Sequence, residues 1–199
     1  MKANIYDQAV LEGVATSFPQ TEEILENGTV NGMTASDVQK VLNLKHAWEF
    51  ILDPDVIRSD SDYYVMCHIA KLVNEGFDRD GGRLRGIPIR IGGSSYIPPL
   101  PIETVVRENL GAILREDVPA IDKAIRLCLY VMKTQVFLDG NKRTAVIYAN
   151  HYLIAHGEGS LVIPELHVPD FKRMLAQYYE GADPAAIESF LKENCWKTF

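Results

Sequence analysis

The chain has 199 residues, 47% of them hydrophobic and 24% charged, the balance of a globular protein with one substantial core. Its 20 Lys and Arg against 27 Asp and Glu give a formal charge of −7, which argues against general electrostatic binding to nucleic acid or anionic membranes. No stretch is long and apolar enough to read as a transmembrane helix, and residues 1–7 lack the apolar core of a signal peptide, so a cytoplasmic protein is expected. Cys67, Cys128 and Cys195 are scattered without CxxC spacing, and Cys128 reads as a small core residue.

In chain order, a short helix is expected over residues 19–27, stopped by Asn27-Gly28. Ser36 or Asp37 can cap the next, where Val38, Val41, Leu42, Trp48, Ile51 and Leu52 recur at helical spacing until Asp53-Pro54. A third runs from about Asp60 to Asn74 with Val65, Ile69, Leu72 and Val73 on one face. Residues 79–101 then change character. Alternation from Arg83 to Ile91 with a Gly92-Gly93 turn signal predicts a β-hairpin, which Pro88 restricts to an edge or irregular pairing. Pro98, Pro99 and Pro101 lead into a helix near residues 102–114. Ile121, Ala124, Ile125, Cys128, Val131 and Met132 make the stripe of the following helix, and Leu127 and Leu129 widen it, so it should be buried nearly all round. Ala145, Val146, Ala149, Tyr152 and Leu153 mark another, ended by Gly157, and helices near 169–179 and 184–193 finish the chain. The expected fold class is mainly α with one small hairpin: an N-terminal helical region at 1–55 and the main domain at 56–199, forming one compact unit.

The loop from Gln135 to Arg143 joins the two central helices. Phe137 is apolar within it and should anchor it to the core. Asp139-Gly140-Asn141 opens the second helix, whose first N–H groups and positive dipole end make an anion site. Gly140 allows close backbone approach, and Lys142 and Arg143 add positive charge. Asp139 could hold Mg²⁺, which binds one or two carboxylates together with substrate phosphates. On local chemistry alone an equal reading is an N-cap, a turn glycine and two solvated charges.

The loop resembles the Fic family's His-x-Phe-x-Asp/Glu-Gly-Asn-Gly/Lys-Arg, matched by Phe137, Asp139, Gly140, Asn141, Lys142 and Arg143. The predicted hairpin resembles the same family's flap, compared at Arg85, Ile91-Gly92-Gly93 and Pro98-Pro99. The resemblance covers roughly residues 20–157. It implies a Fic-type helical fold with the flap over a nucleotide site, and transfer of AMP from ATP to a Ser, Thr or Tyr hydroxyl of a target protein. Gly140, Asn141, Lys142 and Arg143 would hold the nucleotide and Asp139 the magnesium. The flap at Ile91, Gly92 and Gly93 would pin the target as an added strand. Members of the family often form homodimers and pair with antitoxins.

Three positions depart from that pattern. Gln135 stands where the family's catalytic His takes the proton, and an amide has no basic function near neutral pH. A general base contributes about 10²–10⁴-fold, so transfer should be slow, or the protein is a silent nucleotide-binding or regulatory module. Lys142 resembles the Doc branch, which transfers phosphate instead. Val146 stands where many members have a second Arg that pairs with a regulatory glutamate. Residues 21–27 resemble the family's inhibitory helix, Ser/Thr-x-x-x-Glu-Gly/Asn, with Glu26 as the candidate inhibitory residue beside the equal reading of a solvated acidic helix. Arg83, Arg85 and Arg90 could form a small basic patch, although nearby acids favour a charged flap edge. His46, His68, His151, His156 and His167 show no zinc-binding spacing, and His151 reads as a half-buried helix residue.

Overall fold

The computed structural model describes residues 1–198. Three N-terminal helices, α1 (Lys2–Leu11), α2 (Phe18–Asn27) and α3 (Ala35–Leu52), precede the one-turn α4 (Pro54–Ile57) and α5 (Tyr63–Val73). After a long irregular segment come α6 (Glu103–Arg115), α7 (Ala120–Thr134), α8 (Asn141–Ala155), α9 (Val168–Tyr179) and α10 (Pro184–Asn194). Local chemistry sets most of these ends. Ser17 and Gln20 close a capping box on α2, and left-handed Gly28 ends it. Thr34, two residues before the expected Ser36, accepts the Asp37 N–H to start α3. Asp53 and Pro54 end α3 and begin α4.

Helix α8 is the axis of the molecule. Along it Lys142 alone escapes burial between Asn141 and Leu153, and it packs on α7, α5 and α3. Its buried polar groups are partnered from outside. Asn150 Nδ2 donates to the Leu161 carbonyl at 2.6 Å and its Oδ1 accepts the Leu161 N–H at 2.9 Å. That exchange supports β1 (Ser160–Leu161), which pairs antiparallel with β2 (Trp196–Lys197). His151 is fully buried, not half-buried as its sequence position suggested. One apolar core runs from Ile5 to Cys195 and takes in residues on both sides of position 55.

Helix α1 is absent from the sequence-based expectation. Its amphipathic signal is weak because one of its buried residues is Gln8, which donates to the Arg143 carbonyl at 2.8 Å and accepts from Trp48 Nε1 at 3.0 Å. The expected hairpin also needs correcting. The molecule does contain a two-stranded antiparallel sheet, β1 with β2, but residues 83–101 form no strand ladder. Pro88, Pro98 and Pro99 offer no N–H, and the Arg85 side chain binds the carbonyls of Ile87, Pro98 and Pro99 that a ladder would use. The flap is an irregular extended segment.

Candidate nucleotide site

The loop between α7 and α8 is fastened on every side. Val136 and Phe137 are buried, the latter as the expected anchor. Asn141 acts as a clamp. Its Oδ1 accepts the Phe137 N–H at 2.9 Å, while Nδ2 donates to the Phe137 carbonyl at 2.8 Å and to Gln135 Oε1 at 3.2 Å. Asn74, just past α5, donates to the Asp139 carbonyl at 3.0 Å. Gly140 has φ +74°, and a Cβ there would lie 2.8 Å from Asn74 Oδ1. Glycine is needed both for its left-handed conformation and for that close approach. Gly140 precedes α8 without any side-chain cap, so the first N–H groups of the helix stay available to an anion.

A cleft of about 900 Å³ opens over this helix start. Gln135, Asp139, Gly140, Asn141 and Lys142 line its floor, and Ile91, Gly92 and Gly93 of the flap line one wall, so most of the expected site residues meet there. Arg90, Lys172 and Arg173 add cationic groups to its lining. At its tip the flap is tied to the end of α9: Glu180 accepts from Ser94 Oγ, Ser95 N and Ser95 Oγ, each at 2.6 Å. Those donors hold the Glu180 carboxyl down at about 2.

Arg143 departs from expectation. It does not line the cleft and is 3% exposed. Its guanidinium donates to the Val73 carbonyl at 2.8 Å and to Asp139 Oδ2 at 2.9 Å. It therefore fastens α8 to the end of α5 and aims Asp139, instead of reaching out toward a ligand. The Asp139 side chain is 68% exposed at the cleft, with Oδ1 free of that bond, which fits a metal shared with substrate phosphates. Among the described residues no three His, Cys, Asp or Glu side chains come together as a metal cage.

Gln135 occupies the left-handed region at φ 50°, a conformation that residues other than glycine seldom adopt. Its amide donates to the Met132 carbonyl at 2.6 Å, so its side chain is tied to its own helix end. Tyr179 lies beside it in the cleft lining, and burial pushes that phenol well above its ordinary value, so it offers no substitute base. His151 is remote from the cleft, bonded to Ser61 and the Val56 carbonyl.

Glu26 does not reach the cleft. It is bound to Lys2 at 2.6 Å on the surface. The glutamate that does is Glu12, at the end of α1: its carboxylate lies 3.6 Å from Lys142 Nζ and 3.6 Å from Arg143 Nε. Glu12 Oε1 and Arg143 Nε are buried without a hydrogen bond, so the charges face each other across a loose contact. Gln8 to Gly13 follows the inhibitory spacing with Gln8 in the Ser/Thr position, a signal that sequence reading could have found by searching for Glu-Gly alone. Val146 is fully buried, which leaves Lys142 and Arg143 as the cations facing Glu12. The three flap arginines form no patch: Arg83 pairs with Asp80, Arg85 is buried and Arg90 faces the cleft.

No curated protein sequence matches the chain significantly. Among solved structures, a fragment of Fic-1 from C. elegans superimposes with TM-score 0.76 at 20% identity, over 96% of this chain and 58% of that one. A Fic domain containing signaling protein from Bacteroides thetaiotaomicron gives 0.78 at 16% identity, over 96% of this chain and 80% of that one. A Fic family protein from Desulfovibrio desulfuricans gives 0.78 at 17%, over 96% and 60%. The chain thus spans less than two thirds of two of these three. The Fic/DOC family model matches residues 60–153, the stretch from the entrance of α5 through the flap and the loop to the end of α8. The family model thus matches just under half of the chain, and the chain shares the fold of these Fic-domain structures along almost its whole length.

Proposed function

We propose that this protein binds ATP with Mg²⁺ in the cleft at the start of α8 and transfers AMP to a hydroxyl of a target protein, at a rate held low by Gln135 and by Glu12. The observation that carries the reading is the uncapped start of α8, opening through Gly140 into a cleft lined by Lys142, Asp139 and the flap. Backbone N–H groups and Lys142 would take the phosphates. Asp139, aimed by Arg143, would hold the magnesium, which when bound neutralises phosphate charge. Glu12 opposes binding, because its carboxylate already occupies the field of Lys142 and Arg143.

In the transfer, a hydroxyl oxygen bonds to the α-phosphorus, the bond to the bridging oxygen breaks and pyrophosphate leaves. The Gln135 amide accepts no proton, so the hydroxyl proton passes to solvent water, the slow route that holds the rate low. Lys142 supports a second reading, phosphate transfer from a triphosphate bound in the opposite sense.

The test is incubation with Mg²⁺, a cell lysate and ATP labelled at the α- or the γ-phosphate, using the natural protein and Gln135→His, with Lys142→Ala as the binding control. Protein label from the α-phosphate that rises about 10²-fold or more in Gln135→His and falls in the control is the expected result. Label from the γ-phosphate alone would replace it with phosphotransfer. Absence of label in all variants, together with calorimetric binding of MgATP, would leave a nucleotide-binding module without transfer.

A further inference from the structure

Arg85 lies outside the cleft and is 4% exposed, yet among the described residues no carboxylate pairs with it. Its charge is distributed over backbone carbonyls. Nε donates to Gln135 O at 2.6 Å, Nη1 to Ile87 O at 2.9 Å, and Nη2 to Pro98 O at 3.1 Å and Pro99 O at 2.6 Å. Its own N–H donates to Val136 O at 3.1 Å. One side chain thus binds both ends of the flap and the residue at the family's catalytic position. A buried cation without a counter-ion is unfavourable unless its donors are satisfied, and here four carbonyls from two separate segments satisfy them. Gln135 meanwhile holds a left-handed conformation that L side chains disfavour. The Arg85 bond to its carbonyl reaches that position from outside the loop.

We infer that Arg85 is a positioning residue: it fixes residue 135 in its left-handed conformation and joins the flap base and the active loop into one unit, so that a displacement of the flap is transmitted to the proton-accepting position. Its guanidinium geometry is essential, because a lysine ammonium is a point charge that cannot serve Gln135, Ile87, Pro98 and Pro99 together. The catalytic part of this inference rests on the proposed transfer reaction, whereas the mechanical part does not.

The mechanical part is tested by hydrogen exchange on Arg85→Lys. Exchange should rise about tenfold or more in residues 86–99 and 135–140 together, with α5 and the body of α8 unchanged. Adding Gln135→Gly, which needs no help to adopt a positive φ, should restore protection in the loop but not in the flap. A rise in the flap alone, or in neither segment, overturns the inference. Should Arg85→Lys fail to fold, native-state exchange of the unmodified protein against denaturant decides the same point: one unit requires the two segments to open with the same free energy and the same denaturant dependence, and separate openings refute it. The catalytic part is tested in Gln135→His. There, Arg85→Lys should lower kcat about tenfold while changing the nucleotide KM less than about twofold, the signature of misplacement rather than lost binding. Equal losses in both terms would refute positioning. If Gln135→His transfers nothing, the proposed reaction fails, and the exchange result still decides the role of Arg85.

Discussion

At position 140 two requirements meet on one residue. The backbone stands at φ +74°, and Asn74 and Val73 crowd the place of a Cβ at 2.8–3.1 Å. Gly140→Ala should therefore destabilise by roughly 2–4 kcal/mol, the sum of left-handed strain and a forced shift of Asn74. Denaturant unfolding measures it, and an unchanged midpoint would show that the loop relaxes freely. Asp139-Gly140-Asn141 was legible because turn glycines and helix starts are local chemistry. What Arg143 does was not legible, because a sequence gives the charge of an arginine but not its direction. The Val73 carbonyl, left open at the end of α5, and Asp139 one turn back draw its guanidinium inward. Asn141 likewise proved a clamp on Phe137 before it can be a ligand contact.

At the scale of elements, α1 brings Glu12 to the cleft and α2 keeps Glu26 away from it. Helix α1 is docked by Gln8, which binds the Arg143 carbonyl and Trp48, so the carboxylate is held by the fold and not only by its ion pairs. Glu12→Gly should raise MgATP affinity about tenfold, since it removes one negative charge from beside the expected phosphate position. Glu26→Gly should leave it unchanged. Calorimetry on the two variants separates these outcomes, and equal affinities would remove Glu12 from any inhibitory role. Sequence pattern missed α1 because a buried glutamine breaks the apolar stripe by which helices are found. It misjudged the flap for a related reason. Alternation and Gly92-Gly93 describe an extended chain well, but whether two extended segments pair depends on competing partners, and Arg85 takes the carbonyls. The central helices were legible because α7 and α8 are set by burial, which apolar spacing reports directly.

At the scale of the whole molecule, α8 is held to the segment before α5 by a buried polar chain. The His151 ring accepts from Ser61 Oγ at Nδ1, 2.7 Å away, and donates from Nε2 to the Val56 carbonyl at 2.8 Å. Tyr148, one turn earlier, donates to the Ser61 carbonyl at 2.6 Å. This arrangement uses the neutral imidazole, and burial lowers the His151 pKa from its ordinary 6.5. The consequence for stability has a definite sign. In the unfolded chain His151 takes up a proton as the pH falls through 6.5, while in the folded protein it resists until lower pH. The unfolded state then binds more protons, so the contribution is complete above 6.5 and is lost as the pH falls toward the folded value. Unfolding free energy should accordingly decline between about pH 6.5 and pH 5, before the carboxylates titrate. His151→Gln keeps an amide that can donate to Val56 and accept from Ser61 but does not titrate. It should be less stable near neutral pH, through imperfect replacement of the ring, and flatter across that interval. Denaturant unfolding at several pH values measures both slopes, and parallel slopes would assign the decline to other groups.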